Sequence, residues 1–362
     1  MKTVRLGVVG LGRGLQAVKD ILHEKDVCVA AICDKDEEKL HSAQKALALE
    51  GVQDFKCFLD FEELIESDID AVYIATDAIY HVPFVIRALD AGKHVISEIP
   101  AVNSLEEAKA LRRAVKAHPE LKYMCGENDC FLGFIEAWKR MYEDGKFGDI
   151  VYAEGEYLHS DDYRNIKPKA KEHWRSFNPA IKYLTHDLGP LLYIMDDKCV
   201  SVSCMVPEPL YDPYKDNYAQ NAVALFKTAK GAVIRILILF GAYVGYTHNY
   251  GIYGTRGMIE FDKSKPRLEA HSLARFSDVP GSITEKIDIP VTCSSFGIGG
   301  SSHLGIDKKM MRAFIDSIIN DTKVPIDVDL GIRMALPGIF AHESYLKGGA
   351  AVDITDVDDF EE

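Results

Sequence analysis

Gly10, Gly12 and Gly14 stand at alternate positions in the opening stretch Val4-Arg5-Leu6-Gly7-Val8-Val9-Gly10-Leu11-Gly12-Arg13-Gly14. A short apolar run, Leu6 to Val9, leads into them. Leu15, Val18, Ile21 and Leu22 follow at helical spacing. Strand, tight turn and helix start, in that order, make an anion site. The helix offers free N–H groups and the positive end of its dipole, and glycine lets a diphosphate approach the backbone. Val27 to Cys33 reads as a second strand and ends on Asp34, 24 positions after Gly10. A carboxylate there can accept hydrogen bonds from the ribose hydroxyls of a dinucleotide. Its charge repels a 2′-phosphate and favours NAD over NADP, although Lys35 beside it weakens that preference. The usual G-x-G-x-x-G/A pattern has Leu15 in its last place, and Gly14 comes one residue early. Arg13 and Leu15 join the glycines and Asp34 as expected cofactor contacts.

The elements around this turn alternate. Strand-like runs at Leu6–Val9, Val27–Cys33, Ala71–Ala75, His94–Ser97 and Lys122–Cys125 enclose helical patterns at Leu15–His23, Glu37–Leu49, Phe61–Ile65, Val82–Ala91 and Leu105–Ala117. Asp36 can cap the second helix, Ser104 with Glu107 forms a capping box, and Gly92 follows the fourth. Alternation of this kind implies a doubly wound parallel sheet, an α/β Rossmann domain over residues 1–126. The pattern then changes. A helix, Phe131–Glu143, precedes a strand, Ile150–Leu158, and a further helix spans Thr185–Ile194. The chain turns strand-rich at Val200–Val206, Ala222–Lys227, Ala232–Phe240, His248–Tyr253, Met258–Phe261 and Ile283–Ile289. Tight glycine turns at Gly231 and Gly257 make these an open, mostly antiparallel sheet in an α+β domain over 127–362. Helices at Leu304–Asn320 and Gly331–Leu346 follow. The tail from Asp353, with six acids and no base, reads as a solvated, frayed end.

A chain of 362 residues suggests two domains, and 47% hydrophobic with 27% charged residues is the make-up of a soluble globular protein. A net charge of −14 argues against nucleic acid and anionic membrane surfaces as partners. The eight cysteines form no C-x-x-C pair and read as buried, reduced thiols. The first apolar run is too short for a signal peptide. The longest later one, Ala232 to Tyr246, contains Arg235 and two glycines and is no membrane span. A cytoplasmic location is the expectation.

A Rossmann half followed by an open antiparallel sheet resembles the Gfo/Idh/MocA family of sugar and polyol oxidoreductases. The likeness rests on the opening glycine turn with Asp34; on Ala71-Val72-Tyr73-Ile74-Ala75-Thr76, His81-Val82-Pro83, Ala91-Gly92-Lys93-His94-Val95 and Ser97-Glu98-Ile99-Pro100; and on Gly148-Asp149-Ile150 leading to the stretch around His186. The resemblance implies cofactor contacts from Thr76, His81, Glu98 and Pro100. Two family features are altered. Ile99 stands where the dehydrogenases carry the lysine of Glu-Lys-Pro. Leu191 stands four residues after Asp187, where their catalytic histidine lies; the histidine here is His186. The altered pattern looks like a smaller branch, the NAD-dependent glycosidases of glycoside hydrolase family 109. Its marks are matched by Glu98 and Pro100, Glu127-Asn128, Tyr157-Leu158-His159, Trp174-Arg175 and Tyr183 through Pro190. Asp187 replaces that branch's usual glycine, and its common export signal is missing. The resemblance implies active-site roles for Glu127, Tyr157, Tyr183 and His186.

Removing hydride from a carbinol carbon needs a base for the hydroxyl proton. Histidine, with an unperturbed pKa of about 6.5, suits that task at neutral pH, which points to His186. Tyr183, three residues earlier at the start of the expected helix, can share its face and its proton. Breaking a glycosidic bond asks for more. Oxidation at C3 to a ketone acidifies the C2 proton, its removal expels the leaving group, water adds, and reduction restores the carbinol. This needs a second acid/base pair, for which Glu127 and Tyr157 are the matching positions. The His159-Ser160-Asp161-Asp162 loop with His173 could be read as a metal site, but the resemblance supplies no metal. Sugar contacts from His159, Asp161, Trp174, Arg175 and Asp187 are expected instead.

The sequence thus predicts an NAD-dependent oxidoreductase acting on a sugar or glycoside hydroxyl, at C3 of a pyranose. The first alternative is a redox-neutral glycosidase that keeps its NAD. The alternative from another class is a non-catalytic NAD-binding sugar sensor. Val233–Phe240 carries apolar residues on both faces, which predicts a homodimer or homotetramer through the second sheet.

Overall fold

The computed structural model describes residues 3–19, 21–159, 178–207, 220–242, 244–245, 247–262, 271–277, 287–290 and 305–361. They form two compact units. The first draws on residues 3–131 and 305–332, the second on 132–290 and 333–361.

The first unit is a six-stranded parallel sheet of order β3-β2-β1-β4-β5-β6. Its strands are β1 (Val4–Val9), β2 (Val27–Cys33), β3 (Lys56–Phe58), β4 (Ala71–Ile74), β5 (His94–Ser97) and β6 (Tyr123–Cys125). The helices between them are α1 (Arg13–Lys19), α2 (Glu37–Leu49), α3 (Phe61–Glu66), α4 (His81–Asp90) and α5 (Leu105–Ala117). The strands are apolar on both faces and buried, as helix-covered parallel strands are. The order reverses between β1 and β4, so the crevice at the carboxyl ends of the strands opens beside the glycine turn. β3 has no counterpart among the expected runs.

Caps set the helix ends. Asp36 accepts hydrogen bonds from Glu38 N and Lys39 N. Ser104 accepts from Glu107 N, but the Glu107 carboxylate reaches Asn103 N, so the expected box closes one residue early. Gly92, with φ +74°, ends α4 as expected.

The second unit is a nine-stranded sheet of order β14-β13-β12-β11-β7-β10-β9-β8-β15. It comprises β7 (Ile150–Leu158), β8 (Cys199–Met205), β9 (Asn221–Thr228), β10 (Val233–Leu239), β11 (Thr247–Gly254), β12 (Gly257–Phe261), β13 (His271–Phe276), β14 (Ile287–Pro290) and β15 (Val352–Asp353). All its pairings are antiparallel except β7 with β10. Helices α6 (Gly133–Glu143) and α7 (Thr185–Met195) belong to this unit. Positions Ala153, Gly155 and Tyr157 face the α7 side; Tyr152, Glu154 and Glu156 face the other. That other side exposes Met205, Val223, Leu225 and Val233. α8 (Ile306–Ile319) packs in the first unit, and α9 (Val328–Leu346) carries residues of both.

The acidic tail is not frayed. Val352 and Asp353 pair with β8, and Ile354, Val357 and Phe360 are buried. Asp356 is held by Arg333 at 2.8 Å and Lys198 at 2.9 Å. Among the described cysteines Cys33, Cys125, Cys130, Cys199 and Cys204 are buried free thiols, but Cys28 is exposed. No helix among the described residues is long and apolar enough to cross a membrane.

Candidate active site and its cofactor turn

In the first unit, three glycines have three different reasons. Gly10 has φ +87°, and a Cβ there would lie 2.3 Å from the Ala75 carbonyl oxygen. A Cβ on Gly14 would lie 2.8 Å from Val8 Cγ1 and 3.3 Å from Ala75 Cβ. Gly14 thus brings α1 down onto β1 and β4, the packing task of the missing third glycine. A Cβ on Gly12 would meet no protein atom within 4 Å. Glycine at that position leaves the turn open to a close-lying phosphate, so the cradle fits a dinucleotide. Asp34 is buried. Its Oδ2 accepts from Leu11 N at 2.9 Å and its Oδ1 from Asp36 N at 3.0 Å, which fixes the carboxylate at the strand tip. Each oxygen keeps a second lone pair for a ribose hydroxyl.

Arg13 and Glu98, both expected cofactor contacts, are tied to the protein. Arg13 meets Asp307 with two 2.6 Å bonds and Glu98 at 3.0 Å. Asn128 also donates to Asp307, at 3.0 Å, and the Tyr73 hydroxyl donates to Glu98. Burial works against the Arg13 charge, but the Glu98 and Asp307 carboxylates outweigh it and keep the guanidinium protonated well above its usual range. Burial and the Glu98 charge push the Tyr73 phenol far above its ordinary pKa, so it stays a donor. This network clamps the glycine turn to the strand end carrying Glu98 and to α8. His81 gathers the other expected contacts: its Nδ1 lies 3.0 Å from the Pro100 carbonyl oxygen and its Nε2 3.1 Å from that of Thr76. Ile99 is buried between Glu98 and Pro100. Glu127 is fully buried in this unit, and its Oε1 accepts from Asp129 N at 3.1 Å.

In the second unit, Tyr157, Tyr183 and His186 come together. Tyr183 ends a one-turn helix, Ala180–Tyr183, and His186 opens α7; their rings meet edge-on at 5.5 Å between centroids. Tyr157 on β7 meets His186 edge-on at 5.7 Å, and His159 at 5.9 Å. The local backbone explains where His186 sits. Pro190 has no N–H to give the His186 carbonyl, four residues back in the helix. The Tyr250 hydroxyl of β11 donates to that carbonyl instead, at 2.5 Å, and pins the start of α7 to the sheet. Gly155 allows the close approach, since a Cβ there would lie 2.9 Å from Asp187 Cβ.

Asp187, expected to touch substrate, is fully buried and faces His248 Nδ1 at 3.2 Å. The sequence places His248 only at the start of an expected strand and gives it no part in the site. It lies directly opposite Tyr157 across the β7–β11 ladder, with ring centroids 4.1 Å apart and planes tilted by 35°. Asp161, Trp174 and Arg175 lie outside the described residues.

Residues 4–126 match the family model described as the NAD-binding Rossmann fold of the GFO_IDH_MocA oxidoreductase family, and residues 135–260 match that family's C-terminal domain. The chain belongs to the Gfo/Idh/MocA oxidoreductase family. It is therefore an enzyme of an NAD-binding oxidoreductase family. Among relatives, it is 30% identical over 382 residues to a glycosyl hydrolase family 109 protein 3 of Phocaeicola vulgatus, covering 91% of this chain and 68% of that protein. A family 109 protein 4 from the same organism is 33% identical over 210 residues, covering 54% of this chain and 40% of that one. A family 109 protein of Saccharopolyspora erythraea is 26% identical, covering 98% and 83%. The matched stretch thus spans about two thirds of the length of the first relative and two fifths of the second. The fold is shared with solved structures of dehydrogenases. Scyllo-inositol dehydrogenase from Lactobacillus casei, with NAD(H) and scyllo-inositol bound, gives a TM-score of 0.78 at 21% identity, covering 97% of this chain and 99% of that one. Levoglucosan dehydrogenase in complex with NADH and L-sorbose gives 0.81 at 22%, covering 99% and 100%.

Proposed function

We propose that this enzyme removes hydride from a hydroxyl-bearing carbon of a sugar or glycoside, C3 of a pyranose, with NAD rather than NADP. The observation that carries the reading is the convergence of the Tyr157, Tyr183 and His186 rings, in a chain whose glycine turn fits a dinucleotide. When bound on Gly10, Gly12 and Asp34, NAD supplies the hydride acceptor. His186 takes the hydroxyl proton, and Tyr183, edge-on to it, shares or relays that proton. Tyr157 and Glu127 serve as the second acid/base pair. His159, Asp161, Trp174 and Arg175 bind sugar hydroxyls. The carboxylate of Asp34, fixed by two backbone N–H groups, favours an unphosphorylated ribose. Residues 1–126 form the cofactor domain, which residues 127–131 and 305–332 join in the first unit, and the rest of 127–362 forms the substrate domain. The exposed apolar residues of the second sheet, Met205, Val223, Leu225 and Val233, support assembly into a homodimer or homotetramer through that face.

A second reading, a redox-neutral glycosidase, is favoured by Ile99, which has no proton to exchange where the dehydrogenases carry lysine, and by the family 109 relatives. In that reading the C3 ketone acidifies the C2 proton, Tyr157 or Glu127 removes it, and the aglycone leaves.

The test is a panel of nitrophenyl glycosides and free sugars with added NAD, following NADH absorbance and nitrophenol release together. NADH rising in step with substrate is the expected result. Nitrophenol without net NADH, and only with NAD present, would establish the glycosidase. Silence in both channels despite NAD binding would overturn both and leave a sugar sensor.

A further inference from the structure

The scheme above leaves one buried pair unused, Asp187 and His248. Their side chains lie 61 residues apart in sequence, one on α7 and one on β11, and meet at 3.2 Å. Both are buried, and the ring of His248 lies against Tyr157 at 4.1 Å. We propose that His248, held by Asp187, is a positioning residue that makes the Tyr157 phenol easier to deprotonate.

An ionised carboxylate only accepts hydrogen bonds, so Asp187 fixes the proton of His248 on Nδ1 and leaves Nε2 as the nitrogen that gains or loses one. The carboxylate also favours the charged ring. An imidazolium lying along the face of a phenol stabilises the phenolate, which carries negative charge, more than the neutral phenol. Both rings are buried, so solvent screens the attraction weakly. The contact depends on strand register. Tyr157 and His248 are cross-strand partners, and a slip of one residue would send one ring to the other side of the sheet.

Several other groups face the pair. From β7 and just beyond come Tyr157 and His159. From the turn and α7 come Tyr183, His186 and Asp187, with His186 5.7 Å from His248 between ring centroids. From β11, the Tyr250 hydroxyl is spent on the His186 carbonyl. The charges of Arg235, Glu154 and Glu156 belong to the opposite side of the sheet, where Asn249 joins them at Glu156.

The inference takes its functional meaning from Tyr157 as an acid/base group, but its test does not need turnover. The full chain is labelled with 13Cζ-tyrosine, and the Tyr157 resonance is assigned by its loss in Tyr157→Phe. His248→Gln keeps a donor for Asp187 and removes the ring charge; Asp187→Asn keeps the shape and removes the carboxylate. The expected result is that the Tyr157 titration midpoint rises by about one pH unit or more in each variant. The remaining tyrosine resonances, unmoved, certify the fold, and either variant alone suffices. Identical midpoints in wild type and a folded variant would overturn the proposal. So would a wild-type Tyr157 that fails to titrate before alkaline unfolding. The ascending limb of the pH–rate profile, where Tyr157 must lose its proton to act as base, read with nitrophenyl glycosides, should move by the same amount. A resonance that shifts while the limb stays put would remove Tyr157 from the chemistry and overturn that part of the proposed function instead.

Discussion

The glycine turn of the first unit and the ring cluster of the second perform different kinds of work. At the turn, function is carried by backbone: Gly10 and Gly12 shape a surface, and the side chains nearby, Arg13 and Glu98, lock that surface in place. In the cluster, the proposed chemistry falls to side chains from a turn, a helix and two strands, and the backbone serves to aim them. Tyr250 on the His186 carbonyl and Gly155 beneath Asp187 are the aiming devices. A change that strains the turn's backbone, as at Gly10, should therefore damage folding and cofactor binding together. A change at the cluster should damage chemistry and spare both.

The sharpest break of that contrast is Gly10→Ala. The added carbon would sit 2.3 Å from a backbone oxygen at a positive φ, so the turn must rebuild. We expect NAD affinity, by calorimetry, to fall more than about 100-fold and the thermal midpoint to drop with it, as strain at a special backbone position does. His186→Ala is the opposite case. Turnover on the responsive substrate should fall by about 100- to 10,000-fold. NAD affinity and thermal midpoint should hold.

Asp356 offers a control remote from chemistry. Burial alone would raise the pKa of its carboxyl, but hydrogen bonds from Arg333 and Lys198 outweigh that and hold it well below the usual carboxylate range. A group depressed in the folded state stabilises the fold above its unfolded pKa of 3.8 and loses that contribution as pH falls below it. Denaturant titrations of wild type and Asp356→Asn should differ by about 2 kcal/mol at pH 7, and the gap should narrow progressively as pH falls below 3.8. NAD affinity should not change. The smallest expected effect is Gly12→Ala. Its carbon enters open space, so the thermal midpoint should stay within a degree or two, about 0.5 kcal/mol. NAD affinity should still fall about tenfold because the diphosphate loses its close approach. A Gly12→Ala protein with unchanged affinity would show that the turn does not hold the diphosphate.

How far the sequence could be read differs between the two regions for the same reason. The turn is local: glycines, strand and Asp34 lie within one stretch, and α2 and α5 appear at their expected bounds because Asp36 and Ser104 announce them. β3 escaped notice because it is three residues long, and β13 because it is a short run of mixed residues. The charge of the tail suggests a frayed end, whereas its apolar spacing does not. Ile354, Val357 and Phe360 recur every third residue and supply the buried side, while the acids meet Arg333 and Lys198. Tyr183 and His186 could be paired from their spacing. His248 could not, since only the register of β11 on β7 brings it to Tyr157 and Asp187. Asp187 carried a faint signal, a carboxylate beside the expected base, and the structure turns it inward.

The central claim is hydride removal from a sugar carbon, and label transfer tests it most directly. The enzyme would be given NAD and a pyranoside carrying deuterium at C3, and the reduced cofactor examined by mass spectrometry after quenching. The account predicts that deuterium appears in NADH in every turnover that reduces the cofactor. NADH formed without deuterium would place the oxidation at another carbon. Turnover with no label ever passing through the cofactor would contradict the account outright.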